Sequence, residues 1–176
     1  ERIVQNLTRL LDPSALRTRC DLVAKDVKVR AADAVYYPDV VVRCGERLPG
    51  TTLVLTDPCL IVEVLSPGTQ RTDRREKRPA YCSIPAMQTY AIVDQRWRHV
   101  ERYWRNGRGG WDYEEIANDG EVAIDCPTSI RLTLDDIYRD TDVPDRPLRR
   151  LRERVAAPYG AASPTAVPST GDDATR

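Results

Sequence analysis

Cys59-Leu60-Ile61-Val62-Glu63-Val64-Leu65 is an apolar run broken by a single acid. A strand so continuously apolar is expected to be covered on both faces. A carboxylate buried there costs on the order of several kcal/mol unless a cation or a metal compensates it. Glu63 is therefore paired to an arginine, placed at an edge where it reaches water, or part of a functional site, as acids with such surroundings often are.

The run Tyr36 to Val42 puts Asp39, just after Pro38, at the mouth of a second apolar strand. Pro-Asp alone is a common turn. Two carboxylates from neighbouring strands are more telling, because with a backbone carbonyl and water they make the hard oxygen set that Mg²⁺ prefers. After Ser66-Pro67-Gly68, a helix is expected from Asp73 to Ser83, with Asp73, Lys77 and Tyr81 at i, i+4 and i+8 on one face. Lys77 either faces the two acids from there or forms a surface ion pair with Asp73, which contributes little.

Thr89 to Asp94 is apolar enough to be a central strand, beside Leu60 to Leu65 and Tyr36 to Val42 in one sheet, with the Asp73 helix packed over it. His99 to Arg105 and Trp111 to Ile116, split by Asn106-Gly107 and Gly109-Gly110, read as an antiparallel hairpin. Ile3, Leu7, Leu10 and Leu11 recur at helical spacing, and Asp12-Pro13 is expected to stop that helix. Val27 to Val29 reads as a strand, Cys44 to Pro58 as a polar connection, and Leu132 to Tyr138 as a short helix with acids in its first turn. One domain is expected over 1–145. Residues 146–158 read as a basic helix, with five arginines and one glutamate between Arg146 and Arg154, and 159–176 as a disordered tail of small and polar residues.

The 27 Lys and Arg balance 27 Asp and Glu, so the chain as a whole has no electrostatic grip on nucleic acid. A local one is available between Arg71 and Arg78, where five bases meet two acids; Arg71, Arg74, Arg75 and Arg78 are the candidate phosphate contacts. The alternative is a solvated helix face. The single histidine, His99, excludes nuclease centres built from several histidines, and no glycine-rich loop offers a nucleotide site. No apolar run is long enough to span a membrane. Five cysteines at wide spacings, without a CxxC pair, are expected to be reduced thiols of a cytoplasmic protein. The chain opens on Glu1 inside a helical pattern, so an upstream segment is expected.

Four stretches in this order, Tyr37-Pro38-Asp39-Val40-Val41-Val42, Ile61-Val62-Glu63-Val64-Leu65-Ser66-Pro67, Asp73-x3-Lys77-x3-Tyr81 and Tyr90-Ala91-Ile92-Val93-Asp94, resemble the Uma2 family, also called DUF820, over about residues 1 to 140. The resemblance implies an α/β (α+β) fold of the PD-(D/E)xK, restriction-endonuclease-like type: a mixed sheet flanked by helices, here with an added antiparallel hairpin. It implies Mg²⁺, or Mn²⁺, held by Asp39, Glu63 and the backbone carbonyl of Val64. Leu65 stands where the usual fold has its lysine, and the resemblance moves that role to Lys77. The implied activity is hydrolysis of phosphodiester bonds, of DNA, by a chain acting as a homodimer. The family's N-terminal hairpin, and a histidine before this helix, fall upstream of Glu1. Pro79 interrupts the helix that carries Lys77 and puts its aim in question. The competing reading is a nuclease-fold scaffold or nucleic-acid-binding protein without catalysis.

Overall fold

The computed structural model describes residues 1–147 except 25, 47, 48, 53, 67 and 69–71. Arg71, the tail expected over 159–176 and all but the first two residues of the basic helix expected over 146–158 lie outside the described residues. In chain order the elements are α1 (Arg2–Thr18), β1 (Cys20–Ala24), β2 (Lys28–Ala31), β3 (Ala34–Tyr36), β4 (Val40–Cys44), β5 (Val54–Leu55) and β6 (Leu60–Leu65). A π-helical turn (Asp73–Lys77) then runs into α2 (Arg78–Cys82), followed by β7 (Thr89–Asp94), β8 (His99–Arg105), β9 (Trp111–Ala117), β10 (Glu121–Ile124), β11 (Ile130–Thr133) and α3 (Leu134–Ile137).

Six strands form the main sheet in the order β1-β4-β6-β7-β8-β9. Every pairing in it is antiparallel except β6 with β7. A parallel pair needs a long crossover, and that connection carries the π turn and α2. The β8–β9 hairpin extends the same sheet. Smaller sheets are β3-β2-β5 and β10-β11.

Alternation along the strands sorts the core into two halves. Val40, Val42, Leu60, Val62, Ala91 and Val93 face one way, against Ile3, Leu7 and Leu11 of α1 and against Val122, Leu132 and Leu134. Val41, Ile61, Leu65, Tyr90 and Ile92 face the other way, against Tyr81, Ile84 and Met87 and against Val29 and Leu55 of the small sheet. The central strands are thus covered on both faces, as their apolar runs require.

Four expectations are corrected. Helix α1 does not stop at Asp12-Pro13 but continues to Thr18 with Pro13 inside it. Asp12 and Pro13 lie on the exposed side, where the carbonyl deprived of its partner can turn to water, while Leu11, Ser14 and Ala15 keep the buried stripe going. The run Tyr36 to Val42 is not one strand: Pro38 has no N–H to donate, and the chain passes there from β3 in the small sheet to β4 in the main one. Leu132 and Thr133 belong to β11, and Thr133 caps the short helix α3 by accepting from the Asp136 N–H. Finally, four cysteines are joined rather than reduced, as Cys20–Cys44 and Cys59–Cys126, with Cys82 free. Folding aligns Cys20 opposite Cys44 across the β1–β4 ladder, a proximity that sequence spacing does not display. No helix among the described residues is long and apolar enough to cross a membrane.

Candidate active site

The antiparallel register of β4 on β6 pairs Val40 with Val62 and Val41 with Ile61, and one step further it sets Asp39 opposite Glu63. Residues opposite one another share a face, here the face of Ile61 and Leu65. Asp39 lies where β4 has not yet begun, so its carboxylate replaces the missing backbone acceptor: the Val64 N–H donates to Asp39 Oδ2 at 2.7 Å. The N–H and C=O of an extended residue leave on the same side. The Val64 carbonyl therefore turns toward the same open end of β4.

Glu63 is 4% exposed. Its Oε1 accepts from Lys77 Nζ at 3.0 Å and from the Tyr81 hydroxyl at 3.0 Å, and neither donor uses Oε2. Burial, opposed by Lys77 and assisted by the charges of Asp73 and Asp39, pushes the Glu63 carboxyl up to about 7. Lys77 Nζ also stands 2.8 Å from Asp73 Oδ1, an ion pair whose geometry is off the line of a hydrogen bond. Burial works to lower the Lys77 pKa, but its contacts with Asp73 and Glu63 outweigh that and raise it. The ammonium is held between two buried acids. Burial, with Glu63 close by, raises the Tyr81 and Tyr90 hydroxyls, in keeping with Tyr81 as a donor to Glu63.

The backbone explains why Lys77 points inward despite Pro79. The Asp73–Lys77 turn is wide, closed by the Arg78 N–H onto the Asp73 carbonyl, which also accepts from the Tyr90 hydroxyl at 3.2 Å. Pro79 then falls in the first turn of α2, where a proline is tolerated. The wide turn spares the proline ring the clash it would meet inside a regular helix.

The structure thus brings Asp39, Glu63, Lys77 and Val64 together. The arginines it scatters. Arg74 donates to Glu101 Oε1 at 2.7 Å, Arg78 lies over the Tyr103 ring at 5.2 Å, and Arg75 is exposed. Two neighbours were not among the expected site residues: Asp73, 1% exposed rather than on the surface, and Tyr81, fully buried. Their shared helical face with Lys77 was the available signal. A cleft of 790 Å³ lies elsewhere, between the end of α1, β1 and residues 49–52, and neither Asp39 nor Glu63 lines it.

A family model described as "Uma2: Putative restriction endonuclease" matches residues 1–135. The chain is 36% identical over 94 residues to "Uncharacterized protein slr1290" of Synechocystis sp. (strain ATCC 27184 / PCC 6803 / Kazusa), a match covering 52% of this chain and 50% of that protein. The chain therefore spans about half the length of that relative. It is 30% identical over 122 residues to "Uncharacterized protein sll1609" of the same organism, covering 67% of this chain and 69% of the other. Its fold matches the crystal structure of "a putative nuclease belonging to DUF820" from Anabaena variabilis ATCC 29413, with a TM-score of 0.63, 18% identity and 78% of each chain covered. That likeness carries the nuclease-like fold. The family match runs from α1 to the start of α3, and the chain belongs to the Uma2 family.

Proposed function

We propose that this chain is a divalent-metal-dependent endonuclease that hydrolyses phosphodiester bonds of DNA. Family membership supports a nuclease in general terms. The observation that carries the finer reading is the facing of Asp39 and Glu63, with Lys77 on Glu63. The donor set fits Mg²⁺ or Mn²⁺: two carboxylates and the Val64 carbonyl are hard oxygen ligands. Glu63 also lacks sufficient positive charge, since burial outweighs Lys77 and leaves its pKa near 7. A cation between the two acids would supply it.

When bound, the metal would lower the pKa of a water and neutralise charge on the scissile phosphate. Asp39 and Glu63 would hold it from one face of the sheet. Tyr81 and Lys77 fix Glu63 by its Oε1, which aims the carboxylate. Lys77, raised in pKa and therefore cationic at neutral pH, supplies the charge that the apolar Leu65 cannot, and stabilises developing negative charge beside the attacking water. Arg75 and Arg78, both exposed on the same crossover, are the described candidates for phosphate docking, and Arg74 would have to leave Glu101 to join them. Cutting both strands of a duplex calls for two such sites, hence a homodimer on the substrate.

One observation favours the scaffold alternative: Lys77 is already engaged by two acids, which closes the group on itself. Plasmid and single-stranded DNA incubated with Mg²⁺ or Mn²⁺ decide between the two. The enzyme reading expects cleavage that is lost in Asp39→Asn and in Glu63→Gln while both variants stay folded, since removing one clustered carboxylate relieves repulsion. Calorimetry should show metal binding lost with it. Absence of millimolar metal binding in the wild-type chain would leave only the scaffold.

A further inference from the structure

Three cysteines from separate places converge at one point of the molecule, and a fourth, Cys20, is bonded to one of them. Cys20 opens β1, Cys44 closes β4, Cys59 precedes β6, and Cys126 lies in the connection between β10 and β11. The bonded pairs are 24 and 67 residues apart in sequence. Two disulfides that merely staple the fold need not touch. Here they do: Cys44 Sγ is 3.7 Å from Cys59 Sγ and 3.9 Å from Cys126 Sγ, and those three sulfurs all lie within 4.8 Å of one another.

Those separations between unbonded sulfurs have a chemical counterpart. Zinc bound by four thiolates at about 2.3 Å in tetrahedral geometry has sulfur–sulfur edges of about 3.8 Å. Among the described residues the grouping contains no histidine and no carboxylate, so its donors are soft and select zinc rather than magnesium. Cys59 and Cys126 are buried and Cys44 is exposed, which gives a closed site with a way in. The cluster sits at the end of β4 remote from Asp39, so it is separate from the candidate active site.

We propose that Cys44, Cys59 and Cys126, joined by Cys20 once its bond to Cys44 is reduced, form a redox-gated tetrathiolate site for one Zn²⁺-class cation. In the oxidised chain the four sulfurs are two disulfides. Two equivalents of a dithiol reductant deliver four electrons and four protons, are themselves oxidised to cyclic disulfides, and leave four thiols. Binding of Zn²⁺ then forms four Zn–S bonds and releases those four protons. In the oxidised state β1 is tied to β4, and the start of β6 to the β10–β11 connection, by separate disulfides; the metal would tie all four together.

The test reduces the whole chain with a dithiol, removes excess reductant without air, and titrates with Co²⁺ alone. One equivalent should produce thiolate-to-cobalt charge-transfer absorption with tetrahedral d–d bands, and one equivalent of Zn²⁺ should erase them. The oxidised chain should give neither. An Asp39→Asn, Glu63→Gln double variant should retain the bands, which separates this site from an oxygen-ligand one. Cys44→Ser and Cys126→Ser should each lose charge-transfer intensity and bind at least about tenfold more weakly, since ligands matter no less than the groups around them. Should those variants not fold, alkylation of the wild-type chain decides: Zn²⁺ should protect Cys20, Cys44, Cys59 and Cys126 and leave Cys82 as reactive as before. A reduced wild-type chain without a thiolate band, or one whose four cysteines alkylate equally with and without Zn²⁺, would overturn the proposal.

Discussion

Glu63 takes two hydrogen bonds on one oxygen, and its carboxyl still sits near 7 because burial outweighs Lys77. Lys77 is the adjustable partner in that balance, and it is the residue to change first. Lys77→Ala would leave Asp73 and Glu63, 1% and 4% exposed, without their cation. Breaking a buried pair in this way costs about 3 kcal/mol. Cleavage should fall by ~100-fold or more, as on losing one donor to the transition state, while calorimetry still detects metal. Leu65 shares the face of Glu63 and is 1% exposed, so Leu65→Lys in the Lys77→Ala background should recover part of the rate. A rate unchanged by Lys77→Ala would make Lys77 purely a structural counter-ion. The sequence is informative about Glu63, since an acid inside an apolar run is conspicuous. It is not informative about Asp73, because i,i+4 acid–lysine spacing looks the same on a solvated helix as on a buried one.

The π turn from Asp73 to Lys77 is the element that aims the lysine, and Pro79 is what a regular helix could not accommodate there. Pro79→Ala should let the turn tighten and swing Lys77 off Glu63, seen as slower cleavage with metal affinity retained; an unaltered rate would show that packing alone sets the turn. Helix α1 is tied to the end of α3 by Asn6, whose side-chain amide donates to the Ile137 carbonyl at 3.1 Å and the Arg139 carbonyl at 2.7 Å. Asn6→Ala should cost about 1–3 kcal/mol in urea unfolding, the penalty for stranding buried acceptors, without touching cleavage. Elements with strong local signals were legible: β6 and β7 by their apolar runs, β8 and β9 by the glycines between them. β1 was not, because Cys20 to Ala24 is an edge strand, half-buried along its whole length and without alternation. The split of β3 from β4 depends on which sheet each joins, a long-range fact that only Pro38 hints at. The disulfide pairs follow from that same long-range arrangement.

Two carboxyls with opposite shifts should shape how the whole metal-free molecule responds to pH. The segment after α3 folds back on the outer strands: Arg98 N–H donates to the Pro144 carbonyl at 2.9 Å, and Arg146 N–H to Asn118 Oδ1 at 2.8 Å. Glu115 of β9 fastens it. Its Oε2 accepts from Arg146 at 2.7 Å and lies 3.0 Å from His99 Nε2, and its Oε1 accepts from Tyr113 at 2.7 Å. The bond from Arg146, then that from Tyr113, hold this carboxyl down at about 2, against an ordinary 4.5. A depressed carboxyl contributes stability that is complete above 4.5 and disappears as pH falls toward 2. Glu63 behaves inversely: raised from 4.5 to about 7, it takes up a proton on folding within that window, so its contribution is complete below 4.5 and declines as pH rises through about 7. Between them these two groups contribute most near pH 4.5, on the acid side of neutrality. Urea unfolding in chelator across pH 2 to 8 should show the decline above 4.5 flattened in Glu63→Gln and the rise below it flattened in Glu115→Gln. Because the Glu115 side chain is 46% exposed, its share should be small and should shrink further with added salt, whereas that of buried Glu63 should not. A Glu63→Gln variant that follows the wild type from pH 4.5 to 7.5 would mean that Lys77 and Tyr81 compensate the buried charge fully, and that Glu63 is ionised before any metal arrives.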